Sequence, residues 1–334
     1  MPRVLYVFTG GTIAMRHDAA AGGAVPAFSG REILARDPDL AGIAEPEIVD
    51  YGRFPGPHMT PARAWEVSEL LRRELQRPEL AGAVVTHGTD TLEESAYLVD
   101  LRHHLDKPVA FTGALLNSSE IGFDGTANLR AATRVAVDEQ ARGLGVLVVF
   151  NRQIVAASEA AKTDTQQFET FQSPDFGPLG FVDHDRVIIT RRLTSRDVIE
   201  AGRLETRVDL LRMYSGADAR FIRHAVAGGA RGLVIEGTGR GNVPPDVLPG
   251  VQEAIDAGVA VVVATRCPHG RVLDTYAYPG SGRDLRKLGV LFAGNLPGHK
   301  ARIRLMMALA CASGPVELRE IFERGGYPSA LSSN

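Results

Sequence analysis

Short apolar runs alternate along this chain with segments whose apolar residues recur at helical spacing. The runs are too short for surface helices and predict buried strands at residues 3–8, 47–51, 83–86, 108–112 and 145–150. Helices are predicted at 61–75, 91–104 and roughly 124–141, and Thr60-Pro61 has the chemistry of a helix start. This alternation favours an α/β fold with a mostly parallel sheet flanked by helices.

The alternation of predicted strands and helices is interrupted once along the chain. Apolar density falls across residues 190–207, which indicates a linker. Beyond it, strands are predicted at 208–213, 232–235, 259–264 and 290–293, with helices at roughly 217–228, 245–257 and 299–312. We therefore predict an N-terminal domain at 1–190, a linker at 191–207 and a smaller C-terminal α/β domain at 208–334. The apolar segment 303–310 fits a core helix and an interface helix equally well.

Composition excludes several classes of function. The 334 residues are 44% hydrophobic and carry a net charge of −3, which supplies a core but gives no sign of a nucleic-acid surface. Cys267 and Cys311 are the only cysteines, so neither a disulfide framework nor a zinc site is predicted, and no metal or cofactor is expected. No apolar stretch reaches the ~18 residues of a membrane helix, and no signal peptide is readable. A cytoplasmic protein without a membrane partner is the expectation.

Two predicted strands end in loops that carry hydroxyl groups and glycines. The first loop is Thr9-Gly10-Gly11-Thr12-Ile13-Ala14, and the second is Thr86-His87-Gly88-Thr89-Asp90-Thr91. The glycines let the backbone turn sharply and approach a ligand. Asp90, with Glu93 three residues later, has the spacing of a capping box and predicts that a helix starts there. Because ligands of open α/β sheets bind at the carboxyl ends of strands, both loops are candidates for one site.

Together, TGGTIA at 9–14 and HGTDT at 87–91 resemble the bacterial-type L-asparaginase/glutaminase family. Further pieces with the same resemblance occur in the family order at 112–114, 161–165, 176–180, 239–242 and 299–302. The resemblance implies a two-domain amidohydrolase of asparagine catabolism that converts L-asparagine to L-aspartate and ammonia through a covalent acyl-enzyme. It also implies a homotetramer built from close dimers, or a homodimer, in which a neighbouring subunit completes each site.

The resemblance also assigns roles to individual residues. Thr12 would be the nucleophile, and Thr89, Asp90 and Lys162 would form a supporting hydroxyl–carboxylate–amine group. A lysine held in a low-dielectric pocket beside other charges can lose its proton and act as a base, although a lone lysine is usually a solvated surface residue. Asp90 would also hold the substrate α-ammonium group. Thr89 is also expected to contact the substrate, and the residues expected to do so largely through their backbone are Gly11, Gly56, Pro57, Gly88 and Ala114.

Three positions depart from the family pattern. Residues 15–29 have the composition of a mobile loop and are a candidate lid, but they lack the tyrosine that the family usually carries there. Gly56 stands where the family commonly has a serine. The cross-subunit glutamate near the loop after Gly270 has no clear counterpart, and Asp274 or Tyr276 is available instead. Tyr276 is our candidate for the proton relay, ahead of Tyr278.

The sequence leaves other functions open besides hydrolysis of asparagine. The chain could be a glutaminase or a broader amidase, or a non-catalytic amino-acid-binding protein with the same fold, which the missing lid tyrosine favours. His87 is expected to pack or to form hydrogen bonds and not to act as a base. The glycine-rich stretch 237–241 follows a predicted strand, and we interpret it as a turn because no lysine follows as in a P-loop.

Overall fold

The computed structural model describes residues 1–324, which fold into two compact units that divide between Val198 and Ile199. Each unit has its own sheet and its own apolar core. The C-terminal domain predicted from the sequence extends to residue 334, and its residues 325–334 lie outside the described part of the chain.

The first unit contains one large sheet and two small hairpins. Its strands are β1 (Arg3–Gly10), β2 (Met15–Asp18), β3 (Gly23–Pro26), β4 (Glu45–Phe54), β5 (Leu80–Thr86), β6 (Val109–Thr112), β7 (Val146–Phe150), β8 (Gln153–Ala156), β9 (Ala161–Lys162), β10 (Phe171–Gln172), β11 (Gly180–Asp183) and β12 (Arg186–Ile189). The large sheet has the spatial order β12-β11-β8-β7-β6-β5-β1-β4. The pairs from β4 through β7 are parallel and those from β7 through β12 are antiparallel, which confirms the predicted mostly parallel sheet.

Helices cover both faces of this sheet. They are α1 (Gly30–Leu34), α2 (Pro61–Glu74), α3 (Leu92–Asp100) and α4 (Gly125–Val137), with short 3-10 helices at Thr12–Ala14, Pro38–Gly42, Gly56–His58 and Glu139–Ala141. The start of α2 is as predicted: the Thr60 side chain accepts a hydrogen bond from Arg63 N at 3.3 Å, and Pro61 is the first helical residue.

The alternation of side chains along β1 explains why its sequence is apolar throughout. Val4, Tyr6 and Phe8 lie in the core cluster that includes α4, whereas Leu5 and Val7 lie in the cluster that includes α2 and α3. Both faces of the strand are therefore buried, as is typical of parallel sheets covered by helices. The sheet presents the carboxyl ends of β4, β1, β5 and β6 side by side.

The second unit is a smaller α/β domain, as predicted. Its strands β13 (Val208–Arg212), β14 (Gly232–Gly237), β15 (Ala260–Thr265) and β16 (Leu291–Phe292) form a parallel sheet in that order. The helices are α5 (Arg220–Ala227), α6 (Leu248–Asp256), α7 (Gly282–Leu288), α8 (Gly298–Cys311) and α9 (Pro315–Glu323). The helix α8 packs on β13, β14 and β15 and buries Ile303, Leu305 and Met306, so this apolar segment is a core helix.

Residues 15–29, predicted from their composition to be a mobile loop, contain regular secondary structure that the prediction missed. Strands β2 and β3 form an antiparallel hairpin, and Ser29 caps α1 through a capping box with Glu32. The hairpin is held at its base because Ser118 Oγ donates to Met15 O at 2.9 Å and Ser119 Oγ accepts from His17 N at 3.0 Å. These partners are a hundred residues away in sequence, so the local Ala and Gly composition could not reveal them.

The sequence pattern also missed several short elements. Helices α1, α7 and α9 and strands β9 to β12 were not predicted, because segments of this length carry little periodicity. Within residues 1–324, no helix combines the length and apolarity that crossing a membrane requires.

Candidate active site

The end of β1 presents Thr12 on a tight turn. Gly11 has φ = 81°, a left-handed backbone conformation that favours glycine, and its N–H donates to Phe54 O at 2.9 Å. The following 3-10 helix, Thr12–Ala14, buries Ile13 and Ala14 and leaves Thr12 half-buried. The backbone at Thr12 is therefore held by the buried residues that follow it, and the residue itself remains partly exposed.

The loop after β5 carries Thr89 and Asp90, but Asp90 does not cap the next helix. The helix α3 begins at Leu92, its N-cap residue is Thr91, and no side chain makes a capping hydrogen bond there. The predicted capping box is therefore wrong. Thr91 Oγ1 instead donates to Gly56 O at 2.6 Å, which joins this loop to the turn after β4. The carboxylate of Asp90 is left for a different partner.

That partner is Lys162, which lies on the short strand β9. Its Nζ donates to Asp90 Oδ1 at 2.8 Å and to Thr89 Oγ1 at 2.9 Å. The side chain of Lys162 is 15% exposed, whereas that of Asp90 is 58% exposed. The structure thus brings together the three residues of the expected hydroxyl–carboxylate–amine group, with the amine shielded and the carboxylate open to a cationic ligand.

Glycines bring the strand-end loops into backbone contact. A Cβ atom on Gly11 would lie 2.5 Å from Gly88 N, and one on Gly88 would lie 2.5 Å from Gly56 N. No side chain fits at either approach. Thr12 follows Gly11 and Thr89 follows Gly88, so each threonine is one residue from the point where the two loops touch.

The remaining predicted contact residues lie around the same loops. Gly56 is buried and begins the 3-10 helix Gly56–His58, and a Cβ on it would lie 3.1 Å from Asp90 Cβ. Pro57 is exposed. Ala114 follows β6 and is fully buried.

His87 is a buried hydrogen-bonding residue, as expected. Its Nδ1 lies 2.8 Å from Gly88 O, and its Nε2 lies 2.9 Å from Ser95 Oγ. Burial lowers the pKa of His87 to about 4, so the imidazole is neutral at physiological pH. With both ring nitrogens engaged, it holds the loop after β5 against α3.

Tyr276 lies in the second unit, within the irregular segment that precedes α7. Tyr276 is 45% exposed and Tyr278 is 47% exposed, and their ring centroids lie 5.6 Å apart. In the same unit, the stretch 237–241 forms a turn in which Thr238 N donates to Asn242 O at 2.8 Å. Among residues 1–324, no group of three or more His, Cys, Asp or Glu side chains could hold a metal ion.

One part of the surroundings was not predicted. Asp124, at the start of α4, accepts hydrogen bonds from Leu115 N and Leu116 N, each at 3.1 Å, in the chain that follows Ala114. Asn128 also donates to Gly113 O at 3.1 Å. An aspartate before a helix is ordinarily interpreted as an N-cap, so the sequence carried a signal at this position but pointed to the wrong partner.

Comparisons with known proteins identify the family to which both units of the chain are similar. The family model for the N-terminal domain of asparaginase matches residues 3–195, and the model for the glutaminase/asparaginase C-terminal domain matches residues 207–322. The chain is similar to the L-asparaginase of Bacillus licheniformis, with 37% identity over 92% of this chain and 95% of that protein. It is 30% identical to the glutaminase-asparaginase of Pseudomonas aeruginosa, over 96% of this chain and 90% of that protein.

A solved structure resembles the chain over nearly its whole length. It is the crystal structure of a "Probable Cytoplasmic L-asparaginase from Campylobacter jejuni". The TM-score is 0.86 at 29% sequence identity, and the match covers 96% of this chain and 99% of the other. The likeness therefore extends over both units of the fold.

Proposed function

The chain belongs to the asparaginase family, and on that basis we propose that it hydrolyses L-asparagine to L-aspartate and ammonia with Thr12 as nucleophile. One observation supports this most directly: Gly11 and Gly88 are in backbone contact, so Thr12 and Thr89 are carried on touching loops. The relatives named L-asparaginase support the same reaction.

The proposed reaction has two steps. The oxygen of Thr12 attacks the side-chain amide carbon of asparagine, its proton passes through a base to the amide nitrogen, and the carbon–nitrogen bond breaks to release ammonia. A water molecule then attacks the resulting aspartyl ester: its oxygen bonds to the acyl carbon, the ester bond breaks to free L-aspartate, and a proton of the water passes to the oxygen of Thr12. N–H groups at the strand-end loops would stabilise the oxyanion that develops in each step.

The group formed by Thr89, Lys162 and Asp90 would manage the proton and the substrate charge. An unprotonated Lys162 amine can accept a proton through Thr89, to which it is hydrogen-bonded at 2.9 Å. Asp90 is the more exposed partner and would pair with the α-ammonium of the substrate. We propose backbone contacts to substrate from Gly11, Gly56, Pro57, Gly88 and Ala114.

An assay of ammonia release tests this proposal and separates the alternatives. With purified protein and L-asparagine we expect ammonia and L-aspartate in equal amounts. Faster release from L-glutamine would favour the glutaminase alternative, which the relative named glutaminase-asparaginase supports. Binding of either amino acid without ammonia release would favour a non-catalytic binding protein and contradict the proposed reaction.

Assembly and location complete the proposal. The family resemblance supports a homotetramer or a homodimer, and a light-scattering mass of one chain at assay concentration would contradict it. The similar structure from Campylobacter jejuni carries the description cytoplasmic, which supports the same location for this protein. Cell fractionation with an antibody against the chain would test that location.

A further inference from the structure

Asp124 occupies the N-cap position of α4 but makes no capping hydrogen bond to that helix. An aspartate in this position normally accepts a hydrogen bond from an N–H group of the first helical turn. Here Oδ1 accepts from Leu115 N and Leu116 N, each at 3.1 Å, and Oδ2 lies 3.1 Å from Leu115 N and accepts from it as well. The carboxylate therefore binds backbone N–H groups of the loop that follows β6 and caps no backbone N–H group of its own helix.

The loop that Asp124 holds begins with residues expected to contact the substrate. A Cβ on Gly113 would lie 2.4 Å from His87 O, so this backbone is packed tightly against the loop that carries Thr89. Ala114 comes next and is fully buried. The chain from 113 to 116 is thus bounded on one side by the loop after β5 and held on the other by a carboxylate.

Asn128, one turn further along α4, completes the arrangement. Its Oδ1 accepts from Asn151 N at 2.9 Å, which orients the amide so that Nδ2 faces the other way. The Nδ2 group donates to Asp124 Oδ2 at 2.9 Å and to Gly113 O at 3.1 Å. Since Asn128 is only 3% exposed, water competes little for these bonds.

We propose that Asp124 is a positioning residue which, with Asn128, holds the backbone of residues 113–116 in the orientation that substrate binding requires. This inference rests on the proposed function, because it concerns the backbone contact assigned to Ala114. Two successive N–H groups bound to one carboxylate fix the peptide planes that follow Ala114, and charge-assisted hydrogen bonds are roughly twice as strong as neutral ones.

The test compares two substitutions at Asp124 with a matched control. In Asp124→Ala we expect kcat/KM for asparagine to fall about 10- to 100-fold with a raised KM, since misplacement by about 1 Å can cost that much. Asp124→Asn should have a kcat/KM between those of the wild type and Asp124→Ala. Its side-chain oxygen can still accept from Leu115 N and Leu116 N, but its NH2 group faces the donor of Asn128. The control is Asp138→Ala, which removes a carboxylate that accepts from Gln140 N at 2.8 Å. This variant should leave kcat/KM and KM for asparagine unchanged.

A second measurement distinguishes positioning from general stability. Hydrogen exchange at Leu115 and Leu116 should be faster in Asp124→Ala than in the wild type, while exchange in the strands of the sheet stays the same. Wild-type exchange at these two amides would overturn the inference. Faster exchange with unchanged kcat and KM would overturn it as well, because the loop would then be held without consequence for the substrate.

The inference can be judged even if the proposed function fails. If the wild type releases no ammonia from asparagine, the proposed function is wrong, and calorimetric binding of L-aspartate becomes the readout. Weaker binding to Asp124→Ala than to wild type and Asp138→Ala would then support the positioning role. Equal binding to all three proteins, or no binding to the wild type, would overturn it.

Discussion

Lys162 Nζ lies 2.9 Å from Thr89 Oγ1, although the two residues are 73 positions apart in the chain. Neither residue belongs to a long regular element: Thr89 lies in the loop after β5, and Lys162 lies on a two-residue strand. Their contact therefore depends on the packing of two loops, and it is the contact on which the proposed proton transfer depends.

We expect Thr89→Val and Lys162→Met each to lower kcat by about 10²–10⁴-fold, the range of general acid–base catalysis. If both residues act through this one contact, the double variant should lose no more than the more damaged single variant. Steady-state kinetics with asparagine on the wild type, the two single variants and the double variant measure these losses in kcat. Lys107→Met is the control, because its amine donates to Arg77 O and has no part in the proposed site. Additive losses would contradict a shared role.

Thr12→Ala should abolish ammonia release while leaving the fold unchanged, because it removes the proposed nucleophile from a half-buried position. In the wild type, rapid quenching with asparagine followed by mass spectrometry should detect an aspartyl ester on the peptide that contains Thr12. Thr190→Ala is the control, since Thr190 directly follows β12 at the far edge of the sheet from β1. Substantial turnover by Thr12→Ala would rule out this nucleophile.

Gly11→Ala should lose activity because a Cβ at this position would crowd the backbone of Gly88. Gly143→Ala is the comparison. Gly11 and Gly143 share a positive φ, of 81° and 74°, but only at Gly11 would a Cβ meet the backbone of another loop, at 2.5 Å from Gly88 N. At Gly143 it would meet no atom within 4 Å. Gly143→Ala should therefore cost about 1–2 kcal/mol of backbone strain and keep its activity. In Gly11→Ala we expect kcat/KM to fall by about 10²-fold or more, and equal effects at both positions would refute crowding as the cause.

Acid should weaken the first unit through its buried histidines. Burial lowers the pKa of His87 and of His103 to about 4, whereas the unfolded chain binds these protons below about pH 6.5. The free energy of unfolding should be at its full value above pH 6.5 and should decrease as the pH falls to about 4, by about 3 kcal/mol for each histidine.

Urea unfolding monitored by Trp65 measures this effect, because Trp65 is the single tryptophan and lies on α2 of the first unit. His87→Gln should reduce the slope of unfolding free energy against pH by up to about 1.4 kcal/mol per pH unit. His184→Gln, which removes an exposed histidine, serves as the matched control for the substitution. Parallel curves for wild type and His87→Gln would show that this buried imidazole does not titrate as stated.

Tyr276→Phe tests whether a tyrosine outside the hairpin β2–β3 serves as the proton relay. The substitution removes only a hydroxyl from a half-exposed ring, so we expect kcat to fall at least about 10-fold while the protein stays folded. Tyr278→Phe is the natural control, since the neighbouring ring has nearly the same exposure. Wild-type turnover in Tyr276→Phe would exclude this hydroxyl.

Much of the fold follows from local patterns in the sequence. The uninterrupted apolar character of residues 4–8 predicts a strand buried on both faces, and the structure buries all five. The chemistry of Thr60-Pro61 predicts the start of α2, which begins there. The motifs at 9–14 and 87–91 indicated the family, and the family models confirm it. These features depend on side-chain period, on backbone preference or on short motifs, and all of these are properties of contiguous residues.

The sequence by itself determined the parallel strands of both sheets, helices α2 to α4 and the family, whereas the tertiary structure decided which partner each polar group takes. Asp90 and Asp124 both have the sequence context of helix caps, yet Asp90 binds Lys162 and Asp124 binds the backbone after Ala114. The hairpin at 15–26 likewise depends on Ser118 and Ser119. A carboxylate or hydroxyl can satisfy its hydrogen bonds locally or across the fold, and the choice depends on which distant loop packs against it.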